Sequence, residues 1–108
     1  MFHRFNGQYR DMDMEKDKKI TIDLRKVMVE KDIDVYTETD LSKPIGNIIH
    51  QQAGDIGLDE KARELYHNGF VEVDMQTAVM MKEIVAQDGI LYYVKQAVVR
   101  EIEKSFKQ

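Results

Sequence analysis

Apolar and polar residues alternate from Lys19 to Arg25, with Ile20, Ile22 and Leu24 on one side of the alternation. A period of two places every second side chain on one face of a strand. The phase slips after Arg25, because Val27 and Val29 continue the apolar set on odd numbers. A one-residue slip reverses the face, so a bulge or an early turn is predicted at Arg25-Lys26. The same rhythm returns at Ile33 and Val35, which face inward in this reading, with Glu30-Lys31-Asp32 as a hairpin connection and Ile33 to Thr37 as the return strand. Tyr36 then points the other way.

At Ser42-Lys43-Pro44 the rhythm changes. Ile45, Ile48, Ile49 and Ala53 fall at helical spacing, Ser42 reads as the N-cap, Pro44 is tolerated in a first turn that needs no donor, and Gly54 reads as the stop. A second helix is predicted from about Leu58 to His67, with Leu58, Ala62, Leu65 and Tyr66 inward and Asn68-Gly69 ending it. Phe70 to Val73 is short, alternating and β-prone, so a third strand near 70–73 is expected to join the hairpin. Asp74 caps a helix through Gln87, and a last helix covers about Ile90 to Phe106, with Val94, Ala97, Val98 and Ile102 along its spine. The fold class that results is α+β: an N-terminal β-hairpin packed against about four short helices. Residues 1–18 read as a polar arm and 19–108 as one domain. Met12 and Met14 offer alternative starts, and Phe2, Phe5 and Tyr9 interleave with His3, Arg4 and Arg10 in that arm.

Two helices are too apolar for a single buried stripe. Ala78-Val79-Met80-Met81 and Ile90-Leu91-Tyr92-Tyr93-Val94 place apolar side chains around most of a turn, the pattern of a helix buried on several sides or facing a partner. Val79, Met80, Met81, Ile90, Leu91, Tyr92 and Tyr93 are therefore the candidate interface, with a homo-oligomer as one form it takes.

Composition narrows the chemistry. The 108 residues are 43% apolar and 33% charged, which suits one folded domain with its own core. A net charge of −4 argues against a general polyanion binder, and the absence of cysteine excludes disulfides and thiol chemistry. No apolar run reaches the roughly 20 residues of a membrane span, and the first residues lack the apolar stretch of a secretory signal, so the expected address is cytoplasmic. His50 and His67 fall on different helices and outside any metal-binding spacing; His67, in a last turn, suits the helix dipole. The carboxylates cluster at caps and turns, where backbone hydrogen bonding explains them, and Asp55 to Asp59 is far short of a calcium loop. No catalytic residue, metal or cofactor is assigned.

The pair of helices over 45–68 could be a helix-turn-helix, which makes a DNA-binding regulator the alternative function. Its turn would present Asp55, Asp59 and Glu60 to phosphate, so nucleic acid is an unfavoured partner. An enzyme built on His50 or His67 with a nearby carboxylate is a third, weaker reading. The leading expectation is a non-enzymatic protein-interaction or assembly module, binding itself or a protein partner.

The order Lys19 to Leu24, Pro44-Ile45-Gly46-Asn47-Ile48-Ile49, Ala62-Arg63-Glu64-Leu65-Tyr66-His67-Asn68-Gly69, then Val71-Glu72-Val73 and a helix carrying Ile84, resembles small uncharacterised proteins encoded in phages and prophages. The resemblance spans about residues 19–104, with a longer hairpin and an added arm here. It implies a virion-assembly or host-interaction role, with a phage or host protein as partner, and brings no functional residue with it.

Overall fold

A computed structural model describes residues 18–107. Nearly all of the arm predicted at the N-terminus, with its alternative starts and its aromatic and basic residues, lies outside the described residues. The elements run β1 (Lys19–Asp23), β2 (Val27–Asp32), β3 (Val35–Thr39), α1 (Ser42–Gln52), α2 (Ile56–Asn68), β4 (Phe70–Asp74), α3 (Met75–Gln87) and α4 (Tyr92–Ser105). The fold is α+β, as the change of period predicts.

Its strands pair differently from the expectation. They form two separate two-stranded antiparallel sheets, β1 with β4 and β2 with β3. In the first, Ile20 faces Val73 and Ile22 faces Val71, and all four side chains are buried. The third strand thus exists but joins β1, not the hairpin. The break at Arg25-Lys26 is where the chain leaves one sheet for the other. Leu24, just past β1, donates its amide to the Gly69 carbonyl at 3.0 Å, and its own carbonyl accepts from Leu41 at 2.9 Å. Arg25 holds Asp23 through two side-chain contacts of 3.0 and 2.7 Å and lies 4.8 Å over the Phe70 ring.

The hairpin is shifted toward the C-terminus of the predicted one. Its connection is Ile33-Asp34, between paired Asp32 and Val35, and a register irregularity falls between Glu30 and Asp32. Asp34 takes a positive φ of 64°, a conformation that Asp tolerates better than most residues, and its amide donates to Glu30 Oε2 at 2.7 Å. Ile33 and Val35 are consequently not inward. Ile33 sits at the turn with 88% of its surface exposed, and Val35 is 54% exposed. Val27 and Val29 bury their side chains instead, where β2 packs against α4.

The helix ends follow local chemistry. Ser42 is the first helical residue, not the cap. Asp40 takes the capping part, accepting from the Ser42 amide at 3.0 Å and from its hydroxyl at 2.6 Å. Helix α1 stops at Gln52 because Ala53 turns extended, so Gly54 is not the terminator. Helix α2 begins two residues before the predicted start, with Asp55 as N-cap accepting from the Leu58 amide at 2.8 Å. It ends at Gly69, which adopts φ 87°. Asp74 caps α3 through the Thr77 amide at 2.7 Å, as the sequence predicts. The final helix starts at Tyr92, with Leu91 as its N-cap.

One core joins both sheets to all four helices. Ile20, Leu24, Ile45, Ala62, Leu65, Ala78, Met81, Val85 and Val98 are fully excluded from solvent. Among the described residues no buried side-chain polar atom lacks a partner. No described helix is long and apolar enough to cross a membrane.

Candidate functional site

The molecule has a polar cleft between α1 and α2 and an apolar patch where the hairpin meets α4. The cleft follows from how closely the two helices approach. Gly46 has no side chain to hold them apart, and a methyl at its α-carbon would lie 3.0 Å from Tyr66 Cβ and 3.1 Å from the Ala62 carbonyl oxygen. Beside this contact a cleft of about 150 Å³ is lined by Gly46, Asn47, His50, Arg63, Tyr66 and His67, among others. Residues 44–49 and 62–69 meet here, with Gly46, Ala62 and Tyr66 in contact as packing residues.

Both sequence-flagged histidines therefore line one cleft, an outcome their separate helices do not predict. His50 Nδ1 donates to Asp59 Oδ1, and Arg63 Nε donates to the other Asp59 oxygen at 3.0 Å. The His50 bond comes first and the Arg63 bond second in holding the Asp59 carboxyl below its ordinary value of 3.8. This links α1 to α2 across their turn. The ion set can orient an imidazole, and the Tyr66 phenol lines the same cleft. Lys43 lies 4.3 Å above the Tyr66 ring and donates to the Tyr66 carbonyl at 3.3 Å. Among the described residues no group of three or more His, Asp or Glu side chains is placed to hold a metal ion.

The carboxylates give the molecule an acid limit. Asp74 is held low by the Thr77 amide, Asp40 by the Ser42 hydroxyl and Asp23 by the Arg25 side chain, in addition to Asp59. A carboxyl whose folded value is depressed stabilises the fold above its unfolded value, and that contribution is lost as pH falls through the lower folded value. Thermal melting is expected to be flat from pH 7 to about 5 and to fall below about pH 4. Asp74→Asn should shallow that fall, as measured by melts across pH 2–7; an unchanged slope would contradict the assignment.

The apolar patch divides the predicted interface. Met81 is fully buried between α3 and the core, so it is unavailable to a partner; the broad apolar face of α3 is central to the monomer. Val79, Met80, Ile90 and Tyr93 are half-buried, with Met80, Ile90 and Tyr93 packed against the core. Leu91 and Tyr92 remain, 62% and 72% exposed. Tyr92 forms a groove with the hairpin connection, lined by Glu30, Lys31, Ile33, Tyr93, Gln96 and Arg100, with a volume of about 310 Å³. A second trough runs on from Tyr92 along α4 past Val99 to Glu103. Arg100 ties the helix to the hairpin by donating to the Met28 carbonyl at 3.4 Å.

Ile33 is the residue of this groove that the sequence reading placed inward, as it did Val35; Tyr36, read as pointing the other way, is exposed. The signal was present in Asp32-Ile33-Asp34, where carboxylates on both sides of one isoleucine mark a turn better than a strand.

Comparison with known proteins adds no assignment: no family model, curated protein or solved structure matches the chain.

Proposed function

We propose that this chain is a cytoplasmic protein-interaction module that acts by associating with a second copy or another protein, without making or breaking bonds. The observation that carries the reading is the exposure of Ile33 and Tyr92, at 88% and 72%, on one groove between hairpin and helix. Exposed apolar groups gathered into one patch mark association surfaces, whereas single ones are ordinary. Val35, Tyr36 and Leu91 extend the exposed apolar surface on the same two elements. The resemblance to small phage and prophage proteins supports an assembly or host-contact role for such a module.

The DNA-reading alternative is less well supported. The start of α2, which would enter the major groove, carries Asp55, Asp59 and Glu60, and of these Asp59 is paired with an arginine, Arg63.

Light scattering tests the association. Wild-type protein at tens of micromolar is expected to show a mass near two chains, and the double variant Ile33→Glu/Tyr92→Glu a mass of one. Both side chains are so exposed that the melting temperature should stay within a few degrees. A single-chain mass for wild type at every concentration would overturn the reading.

A further inference from the structure

The hairpin carries a second feature, its outer strand. Among the described residues β3 hydrogen-bonds to β2 alone, and Val35 to Glu38 are exposed along it. Strand edges present unpaired amides and carbonyls, and natural edges are commonly guarded by lysine, proline or a bulge. Val35-Tyr36-Thr37-Glu38-Thr39 has none of these; the register irregularity lies on β2. β2 is covered by α4, which buries Val27 and Val29, so β3 is the strand of this hairpin left open along one edge.

We propose that β3 pairs antiparallel with β3 of a second copy about a two-fold axis through Thr37, giving a continuous four-stranded sheet. This rests on the association reading above, names its partner and adds a contact along β3, which begins two residues after Ile33. A two-fold between identical antiparallel strands must pass through a residue opposite itself, so few registers exist. Centred on Thr37, all five residues pair: Val35 with Thr39, Tyr36 with Glu38 and Thr37 with Thr37. No like charges meet within the ladder, and the Tyr36 hydroxyl keeps its own acceptor, Glu30 Oε1 at 3.4 Å. Centred on Glu38, two carboxylates face each other, which is unfavourable. Centred on Tyr36, only three residues of the strand remain paired. Asp34 and Asp40, which flank β3, have left the ladder, the first at φ 64° and the second capping α1. Charge and overlap therefore favour one register for pairing with a second copy of this strand.

The cysteine-free sequence makes the test clean. Directly opposed residues place their β-carbons roughly 4.5–5.5 Å apart, close enough for mild oxidation to join cysteines there. Thr37→Cys is expected to give a covalent dimer at least tenfold faster than Glu60→Cys, an exposed control on α2. Val35→Cys and Thr39→Cys should each stay uncrosslinked alone, since like cysteines would then be about 13 Å apart. Mixed together they should join. This mixed pair reads the register independently should Thr37→Cys disturb the hairpin. If wild type is a dimer by light scattering but none of these cysteines outpaces the control, the β3 contact is wrong and the association reading survives. If wild type is a single chain and no cross-link forms, both fall.

Discussion

Gly46→Leu is expected to force α1 and α2 apart and to cost at least about 3 kcal/mol, the upper range for overpacking a filled core. The reason lies in what surrounds the Gly46 α-carbon. A methyl there already meets Tyr66 Cβ at 3.0 Å, the Ala62 carbonyl at 3.1 Å and Tyr66 Cα at 3.2 Å. Two of the three are backbone atoms of α2, so relief requires moving the helix, and leucine adds three more carbons beside the same contact. The gain in helix propensity over glycine is about 1 kcal/mol and cannot offset this. The same gain against one slightly tight methyl makes Gly46→Ala nearly neutral. For a domain of this size the leucine variant should melt some 12 °C or more below wild type. Calorimetry on the two variants checks the account; a leucine variant as stable as the alanine one would show that the helices do not touch at this point.

Gly69→Val carries the second large effect, about 2–3 kcal/mol, for a different reason. Gly69 ends α2 at φ 87°, where a β-branched residue is strained wherever it is placed. The new side chain would also lie 2.6 Å from Arg25 Cδ, displacing the arginine from Asp23 and from its place over Phe70. The Gly69 carbonyl receives the Leu24 amide and its own amide donates to Leu65, so helix end and sheet are joined through this residue. Denaturant unfolding should show a lower midpoint with an unchanged slope. Arg25→Ala removes the obstructing side chain, so adding it to Gly69→Val should recover only the steric part of the loss. Full recovery would mean that backbone strain contributes nothing.

The period of the apolar residues made the helices and the inward faces of β1 and β4 legible, because burial on one side leaves a repeating mark. Asp74 and Gly69 were legible for local reasons, a carboxylate before a helix and a glycine after one. Strand partnership was not. Ile20 pairs with Val73 across most of the chain, and alternation records which face is buried without recording what lies alongside. Ile33 misled because one apolar residue in a turn extends an alternation by chance, and only the adjoining aspartates distinguish the two cases. Met81 misled in the opposite sense. A helix apolar on several sides suits a central position as well as an interface, and contact with the core decides between them. The joining of His50 to Asp59 left no sequence signal, since it depends on the angle at which two helices cross over a glycine.

Amide hydrogen exchange, followed residue by residue at about 1 and 200 μM, tests most directly whether the molecule works by docking through its hairpin. Residues 33–39 and 91–93 are expected to exchange more slowly in the concentrated sample, while the cleft residues 46–50 and 62–67 stay unchanged. Equal exchange at 33–39 in both samples, or protection that rises only around the α1–α2 cleft, would contradict the account.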